Sequence, residues 1–307
     1  MKKLLSALPS LFFCAPMAGV TDKPFRQMVR SFGGHLIYTE MVAATSFVYN
    51  SKTTQRMLDL SDEVAPTAIQ LVGNDPLDMA KAAQKAEANG ACLIDINMGC
   101  PVRKLISNTS GATLMLDPIK AAEIVQAVKA AVSVPVTVKT RLGWDEEHLN
   151  APEFAKYMEQ AGADAITIHG RTKAAGYSGK ANWAAIGQVK KSVSIPVFAN
   201  GDVVDIKSAQ KCLNETLADG IMVGRGMLGR PWALAEMDGV PAPDDLKPIV
   251  LEHFERLLSY YGPKGLFIAR KHLAWYATGH SFVANFRQKV YSETDPMNVK
   301  ALIKEYF

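Results

Sequence analysis

Apolar runs of strand length recur along this chain at near-regular intervals: Leu11 to Cys14, Leu36 to Thr39, Thr67 to Leu71, Cys92 to Asn97, Val134 to Lys139, Ala165 to His169, Ile195 to Ala199 and Gly220 to Val223. Segments of helical period separate most of them, among them Met79 to Ala88, Ile119 to Ala131, Phe154 to Ala161 and Ile206 to Leu213. Strand then helix, eight times over, predicts an α/β fold of the (β/α)8 TIM barrel type. Pro135 and Pro196 stand where the fifth and seventh strands begin, a position at which proline forfeits no ladder bond. The weakest unit follows the second strand, where Ser46 to Leu60 is polar and only loosely periodic.

After Trp232 the strand signal stops. Val240-Pro241-Ala242-Pro243-Asp244 reads as a linker, and from Pro248 to Phe307 only helical patterns follow, broken at Gly262-Pro263 and Gly279. The expected organisation is a barrel over residues 1–238 and a small C-terminal helical domain over 239–307. With 48% of 307 residues hydrophobic, the chain can bury a large core. Cys14, Cys92, Cys100 and Cys212 form no CxxC pair and have no histidine at zinc spacing, so no metal and no disulfide framework is expected, and reduced thiols suit the cytoplasm. Met1-Lys2-Lys3 ahead of Leu4 to Leu8 looks like the start of a secretory signal, but Pro9 interrupts the run and Phe13 precedes Cys14, so this stretch reads as strand. No apolar stretch is long enough to cross a bilayer.

In a parallel barrel the C-terminal ends of the strands converge on one mouth, where ligands bind. Those ends carry Pro16, Met17 and Ala18, then Gln70, then Asn97 and Cys100, then Lys139 and Arg141, then His169, Asn200-Gly201-Asp202 and Gly224-Arg225-Gly226. Glycine-bearing turns after strands seven and eight let main-chain N–H groups approach phosphate oxygens, and Arg225 can add charge-assisted bonds, so a phosphorylated ligand is expected. Lys139 ends an apolar strand and needs an anionic partner or a lowered pKa. It could face an electron-rich cofactor ring, form a Schiff base as in a class I aldolase, or simply pair with Asp95. Cys100 is a candidate for chemistry or a small buried residue in a tight turn, and His169 alone is equally open.

Together, Ala15-Pro16-Met17-Ala18-Gly19-Val20-Thr21-Asp22, Gln70-Leu71, Asp95-Ile96-Asn97-Met98-Gly99-Cys100-Pro101, Val138-Lys139-Thr140-Arg141-Leu142-Gly143-Trp144, His169-Gly170-Arg171-Thr172, Ala199-Asn200-Gly201-Asp202 and Gly224-Arg225-Gly226 resemble the tRNA-dihydrouridine synthase family. The likeness runs through nearly the whole chain and is strongest to the bacterial B-type branch. One departure stands after Lys104: where the family carries Gly-x-Gly-Ala, Thr109-Ser110-Gly111-Ala112 keeps only the second glycine. The resemblance implies FMN at the barrel mouth and a two-electron reduction of the uracil C5=C6 bond in tRNA, with NADPH as reductant. It places Pro16, Met17, Ala18 and Gln70 against the flavin ring, and Lys139 and His169 at its polar edge. Asn200, Gly201, Asp202, Gly224 and Arg225 would hold the phosphate. Cys100 would protonate C5 while hydride arrives at C6, a role for which its thiol must stay protonated until transfer. Asn97, Arg141 and Lys104 would contact the substrate.

The tail has a matching asymmetry. Between Arg256 and Tyr291 lie Arg256, Lys264, Arg270, Lys271, Arg287 and Lys289 with no Asp or Glu, interleaved with aromatic residues. Such a stretch suits phosphates, and Arg270 and Lys271 are the expected tRNA contacts. The whole-chain charge of +4 is too small to argue this by itself. The expected partner is therefore tRNA, met by a monomer with no membrane association. An FMN barrel reducing a free pyrimidine or a dihydroorotate-like substrate is the nearest rival, and a non-catalytic RNA-binding barrel the more distant one.

Overall fold

The computed structural model describes residues 1–8, 10–33, 35–48, 52–63 and 66–307. Eight parallel strands close in sequence order into a barrel: β1 Phe12–Cys14, β2 Ile37–Ala43, β3 Thr67–Val72, β4 Leu93–Asn97, β5 Val136–Arg141, β6 Ala165–His169, β7 Val197–Asn200 and β8 Gly220–Val223, with β8 pairing back onto β1. Strand side chains alternate between two cores. Phe13, Tyr38, Leu93, Phe198 and Met222 plug the barrel's floor, while Ile69, Ile94, Val138 and Ile221 face the surrounding helices. The long apolar runs in the sequence are what a sheet covered on both faces requires.

The helix lengths follow from caps as well as from period. Asp75, Asp117 and Asp205 each accept from a main-chain N–H at the start of the helices Pro76–Ala88, Pro118–Ala131 and Ile206–Thr216. A repeated device fixes the strand entries on the barrel's floor. Asp164 Oδ2 accepts from Val136 N at 2.8 Å and from Lys129, and Asp219 Oδ2 accepts from Val197 N at 2.8 Å and from Lys190. Each carboxylate thus holds the residue that follows Pro135 or Pro196. Glu87 and Glu159 do the same for the serine-bearing turns ahead of those prolines, through Ser133 and Ser194.

Two sequence expectations need correction. Lys2–Ala7 is a helix, not strand, and Leu4, Leu5 and Leu8 pack on the plug at the barrel's floor; Pro9 lies outside the described residues. A short apolar run is ambiguous between helix and strand, and here burial against the floor decides. Second, β2 continues past Thr39 to Ala43 across a register shift between Tyr38 and Met41. The unit that the sequence marks as weakest, Ser46 to Leu60, holds among its described residues the short helices Ala44–Val48 and Lys52–Met57, with 49–51 outside the described residues.

Beyond the barrel, the helices Lys247–Tyr261, Lys264–Tyr276, Val283–Ser292 and Pro296–Tyr306 enclose a separate core of Phe254, Leu257, Leu273, Phe286 and Ile303. Trp232 joins that core from the barrel side. Gly229, at φ +71°, lies so close to the helix Lys264–Tyr276 that a Cβ would fall 2.5 Å from Trp275 main-chain atoms, so only glycine permits this seat. Tyr261 donates to Asp22 Oδ2 at 3.0 Å, and Arg256 donates to Gln27 Oε1 at 3.0 Å. Among the described residues, no helix is long and apolar enough to cross a membrane.

Candidate active site

The strand ends open on a cleft of about 540 Å³. Pro16, Met17, Ala18, Gln70, Asn97, Cys100, Lys139, Arg141, His169, Asn200, Gly201, Asp202, Gly224 and Arg225 all line it. A larger hollow of about 710 Å³, bordered by Phe47, Leu58 and Asn89, lies outside the barrel and gathers none of these residues. Three sequence-predicted residues do not line the cleft. Lys104 is exposed on the short helix Arg103–Ser107, while Arg270 and Lys271 sit on Lys264–Tyr276. Lys271 nevertheless reaches the rim, its Nζ 3.2 Å from where a Cβ on Gly19 would be, one residue beyond Ala18. Arg270 points away, donating to Glu293 O at 2.9 Å.

Lys139 does not pair with Asp95. Register explains this: Asp95 lies opposite Thr137, one layer lower, and Lys139 lies opposite Asn97. Lys139 Nζ instead donates to Asn200 Oδ1 at 3.0 Å, while Asn200 Nδ2 donates to Met222 O at 2.8 Å. Both ends of the Asn200 amide are therefore engaged, and its side chain steadies Lys139. Burial, reinforced by Arg141, lowers the Lys139 ammonium to about 8, against the pull of Asp95 and Cys100.

Asp202, at φ +58°, uses its carboxylate on Arg171 Nη2 at 2.7 and 2.8 Å and on Ala181 N at 2.7 Å, with Arg225 Nη2 at 3.3 Å. What it can offer an anion is its main chain. Arg171 also donates to Ser178 O and Gly179 O, so it ties the loop after β6 to the turn after β7. Burial first, and then Lys139, Arg141, Arg171 and Arg225, push the His169 imidazole down to about 2. It is neutral at any working pH. Four cations around one neutral ring, with one carboxylate among them, make a positive field suited to an anionic ligand.

At the end of β4, Asn97 Oδ1 accepts from Gly99 N at 3.1 Å and Cys100 N at 2.9 Å. Asn97 Nδ2 donates to Gln70 Oε1 at 2.9 Å, and its other proton faces only Met41 Sδ at 3.9 Å, a weak acceptor that a ligand carbonyl could replace. Burial raises the Cys100 thiol above its ordinary value, despite a bond from the Val102 main chain and the nearby Arg141 and Lys139. It is protonated near neutrality. Arg141 donates to Gly99 O, Thr172 O and Gly176 O, so most of its guanidinium braces the loops on either side.

Sequence reasoning missed Tyr177 and the bracing role of Arg171. Tyr177 is 61% exposed at the mouth, with the Arg225 guanidinium 4.9 Å and that of Arg141 5.7 Å from its ring centre. Its only signal in the sequence is an aromatic residue in the glycine-flanked loop after β6.

The family model for dihydrouridine synthase (Dus) matches residues 13–307. A probable tRNA-dihydrouridine synthase of Rhodobacter capsulatus is 45% identical over 95% of this chain and 93% of that protein, and one of Rickettsia bellii is 42% identical over 98% and 95%. A tRNA-dihydrouridine synthase B of Pseudomonas aeruginosa is 40% identical over 98% of this chain and 93% of its own. Among solved structures, morphinone reductase shares the fold at a TM-score of 0.57 and 14% identity, covering 79% of this chain and 89% of its own.

Proposed function

The chain belongs to the dihydrouridine synthase family, and from that membership we propose that it reduces the C5=C6 bond of particular uridines in tRNA to 5,6-dihydrouridine in the cytoplasm, with FMN as cofactor and NADPH as reductant. The observation that carries the reading is the Cys100 thiol, held on the turn after β4, at the mouth of a cleft ringed by cations. The positive field at His169 fits a flavin phosphate, and the apolar rim of Pro16, Met17 and Ala18 fits a flat ring. Bound FMN supplies the hydride for uracil C6.

Arg225, 52% exposed, and the main chain of Gly201, Asp202 and Gly224 hold the phosphate. Lys139, steadied by Asn200, would donate to the polar edge of a bound flavin and stabilise negative charge there. Neutral His169 would flank the same edge, and Gln70, with Pro16, Met17 and Ala18, would contact the ring. Negative charge then develops on the uracil, and Cys100 delivers the proton to C5; hydride and proton together complete the two-hydrogen gain. A thiol kept protonated by burial suits that role. The remaining amide proton of Asn97 holds a uracil carbonyl, and Arg141, through its hold on Gly99 O, keeps the Cys100 turn beside it. The tRNA body rests on the helical domain over residues 239–307, with Lys271 at the rim. Lys104, exposed on the helix Arg103–Ser107, offers a further contact to the RNA backbone.

Mass analysis of tRNA incubated with the FMN-loaded protein and NADPH tests the reading. A gain of two hydrogens at a uridine is expected, and no gain with flavin bound and reducible would overturn it.

A further inference from the structure

Asp95 has no exposed surface, and none of the chemistry above uses it. It sits inside the barrel one layer below the cleft. Its Oδ2 accepts from Gln70 Nε2 at 2.7 Å, and its Oδ1 accepts from Thr137 Oγ1 at 2.6 Å. Gln70 Oε1 then accepts from Asn97 Nδ2 at 2.9 Å, and Asn97 Oδ1 accepts from the main-chain N–H groups of Gly99 and Cys100. The result is an unbroken chain of donors and acceptors from a buried carboxylate to the turn that carries the thiol.

The two ends of this chain differ chemically. An ionised carboxylate only accepts, and main-chain N–H groups only donate. Each amide between them has one orientation that satisfies both neighbours; turning either one sets oxygen against oxygen or nitrogen against nitrogen. Without an acceptor at position 95, Gln70 Nε2 would be left without its partner and Gln70 could turn over and present its amine to Asn97 Nδ2, leaving only the Gly99 and Cys100 N–H groups to hold the Asn97 oxygen in place against that mismatch.

We infer that Asp95 is a positioning residue: through the Gln70 and Asn97 amides it fixes the direction of the hydrogen bonds that hold the Cys100 turn. The inference rests on the reading of Cys100 as the proton donor, but its principal readout does not. Asparagine at position 95 can still accept from Gln70 with its oxygen and donate to Thr137, whereas leucine of similar shape offers no acceptor. The burial of Asp95 raises its carboxyl to about 6, so near neutrality the acceptor form is the one present.

Holoenzyme is treated with iodoacetamide and the alkylation of Cys100 followed by peptide mass spectrometry, with tRNA turnover measured in parallel. Asp95→Leu is expected to speed Cys100 alkylation at least about tenfold, because a loosened turn exposes the thiol. It should also lower kcat about 10- to 100-fold, with KM for tRNA unchanged, the range typical of residues that support a reacting group. Asp95→Asn and Thr137→Val should stay within about threefold of wild type on both measures, since each leaves the amide chain intact. Should Asp95→Leu fail to fold, Gln70→Met breaks the same chain one link closer and must give the same alkylation signature. Unchanged Cys100 reactivity in the folded Leu or Met variant, or equal losses in Asp95→Leu and Asp95→Asn, would overturn the inference. Faster alkylation without any reduction of tRNA by wild type would overturn the functional reading alone.

Discussion

Replacing Cys100 by alanine removes the proposed proton donor without touching the cations that ring the cleft, so it separates chemistry from binding. Turnover should fall about 10²- to 10⁴-fold, the range for a positioned general acid, with flavin content and tRNA affinity unchanged. Single-turnover oxidation of the reduced enzyme by tRNA measures it; a near-normal rate would make Cys100 structural. The turn that follows holds a second residue-scale contrast. Thr109 stands where the resemblance expects the first glycine of that turn, and it adopts φ +49°, a conformation costly for a β-branched residue, with a bond from Asn74 to its hydroxyl and one from its N–H to Ile106 O in return. Gly111, the glycine retained, has φ +62° and no room for a Cβ, which would meet Cys100 O at 2.9 Å. Thr109→Gly should therefore be neutral or stabilising by up to about 1 kcal/mol, whereas Gly111→Ala should cost about 1–3 kcal/mol and disturb Cys100. Urea midpoints of the two variants decide it, and equal destabilisation would mean the loop's backbone is not what the glycine serves.

The eight strands were legible because a sheet buried on both faces leaves long apolar runs, and the mouth was legible because strand ends fall at glycines and prolines. Elements whose identity depends on distant packing were not. Lys2–Ala7 carries an apolar stretch too short to show its period, and the barrel floor makes it a helix. The amides of Gln70, Asn97 and Asn200 read as ligand contacts, yet their partners lie on neighbouring strands, which no local pattern reveals. Polar pairs at the barrel's floor give an element-scale prediction. Asp164→Ala and Asp219→Ala each free a strand N–H and a lysine at equivalent places in two β/α units. Each should cost about 1–2 kcal/mol, reduced from the full charged-bond value because both carboxylates are partly exposed, and neither should alter flavin binding. Denaturant unfolding of both variants checks it; a loss of flavin affinity at unchanged stability would contradict the assignment of that face to stability alone.

At the scale of the whole molecule, the seam between barrel and helical domain contains two buried imidazoles. His253 and His272 lie with ring centres 4.7 Å apart, both beside Phe25 of the barrel, and burial lowers His253 to about 3 and His272 well below its usual value. The unfolded chain therefore takes up protons first, so their contribution is complete above about pH 6.5 and is lost as pH falls towards 3, by about 1.4 kcal/mol per pH unit for each histidine. Asp22 and Asp95, raised to about 6, slope the opposite way between about pH 4 and 6. Comparing His272→Phe with wild type at pH 7.5 and pH 5 cancels those groups, and the variant should gain about 2 kcal/mol on wild type between the two. An identical difference at both pH values would mean that His272 is not held neutral. The same seam decides what the basic tail can do. Arg256 is bound to Glu252 and Gln27, Arg270 to Glu293 O and Arg287 to Ala274 O, so three of its six cations are spent on packing. Lys264 and Lys289 are exposed, but Lys271 alone of the six has been found at the rim of the cleft, beside Gly19. If it meets a tRNA phosphate, Lys271→Ala should weaken tRNA binding and flatten the log–log salt dependence of affinity by about 0.7–0.9, one counterion's worth, while the flavin spectrum and its reduction by NADPH stay as they were. Arg270→Ala should act through stability instead, by releasing the Glu293 carbonyl. Filter binding at graded salt with both variants distinguishes them, and an unchanged slope in Lys271→Ala would move the RNA path to another face.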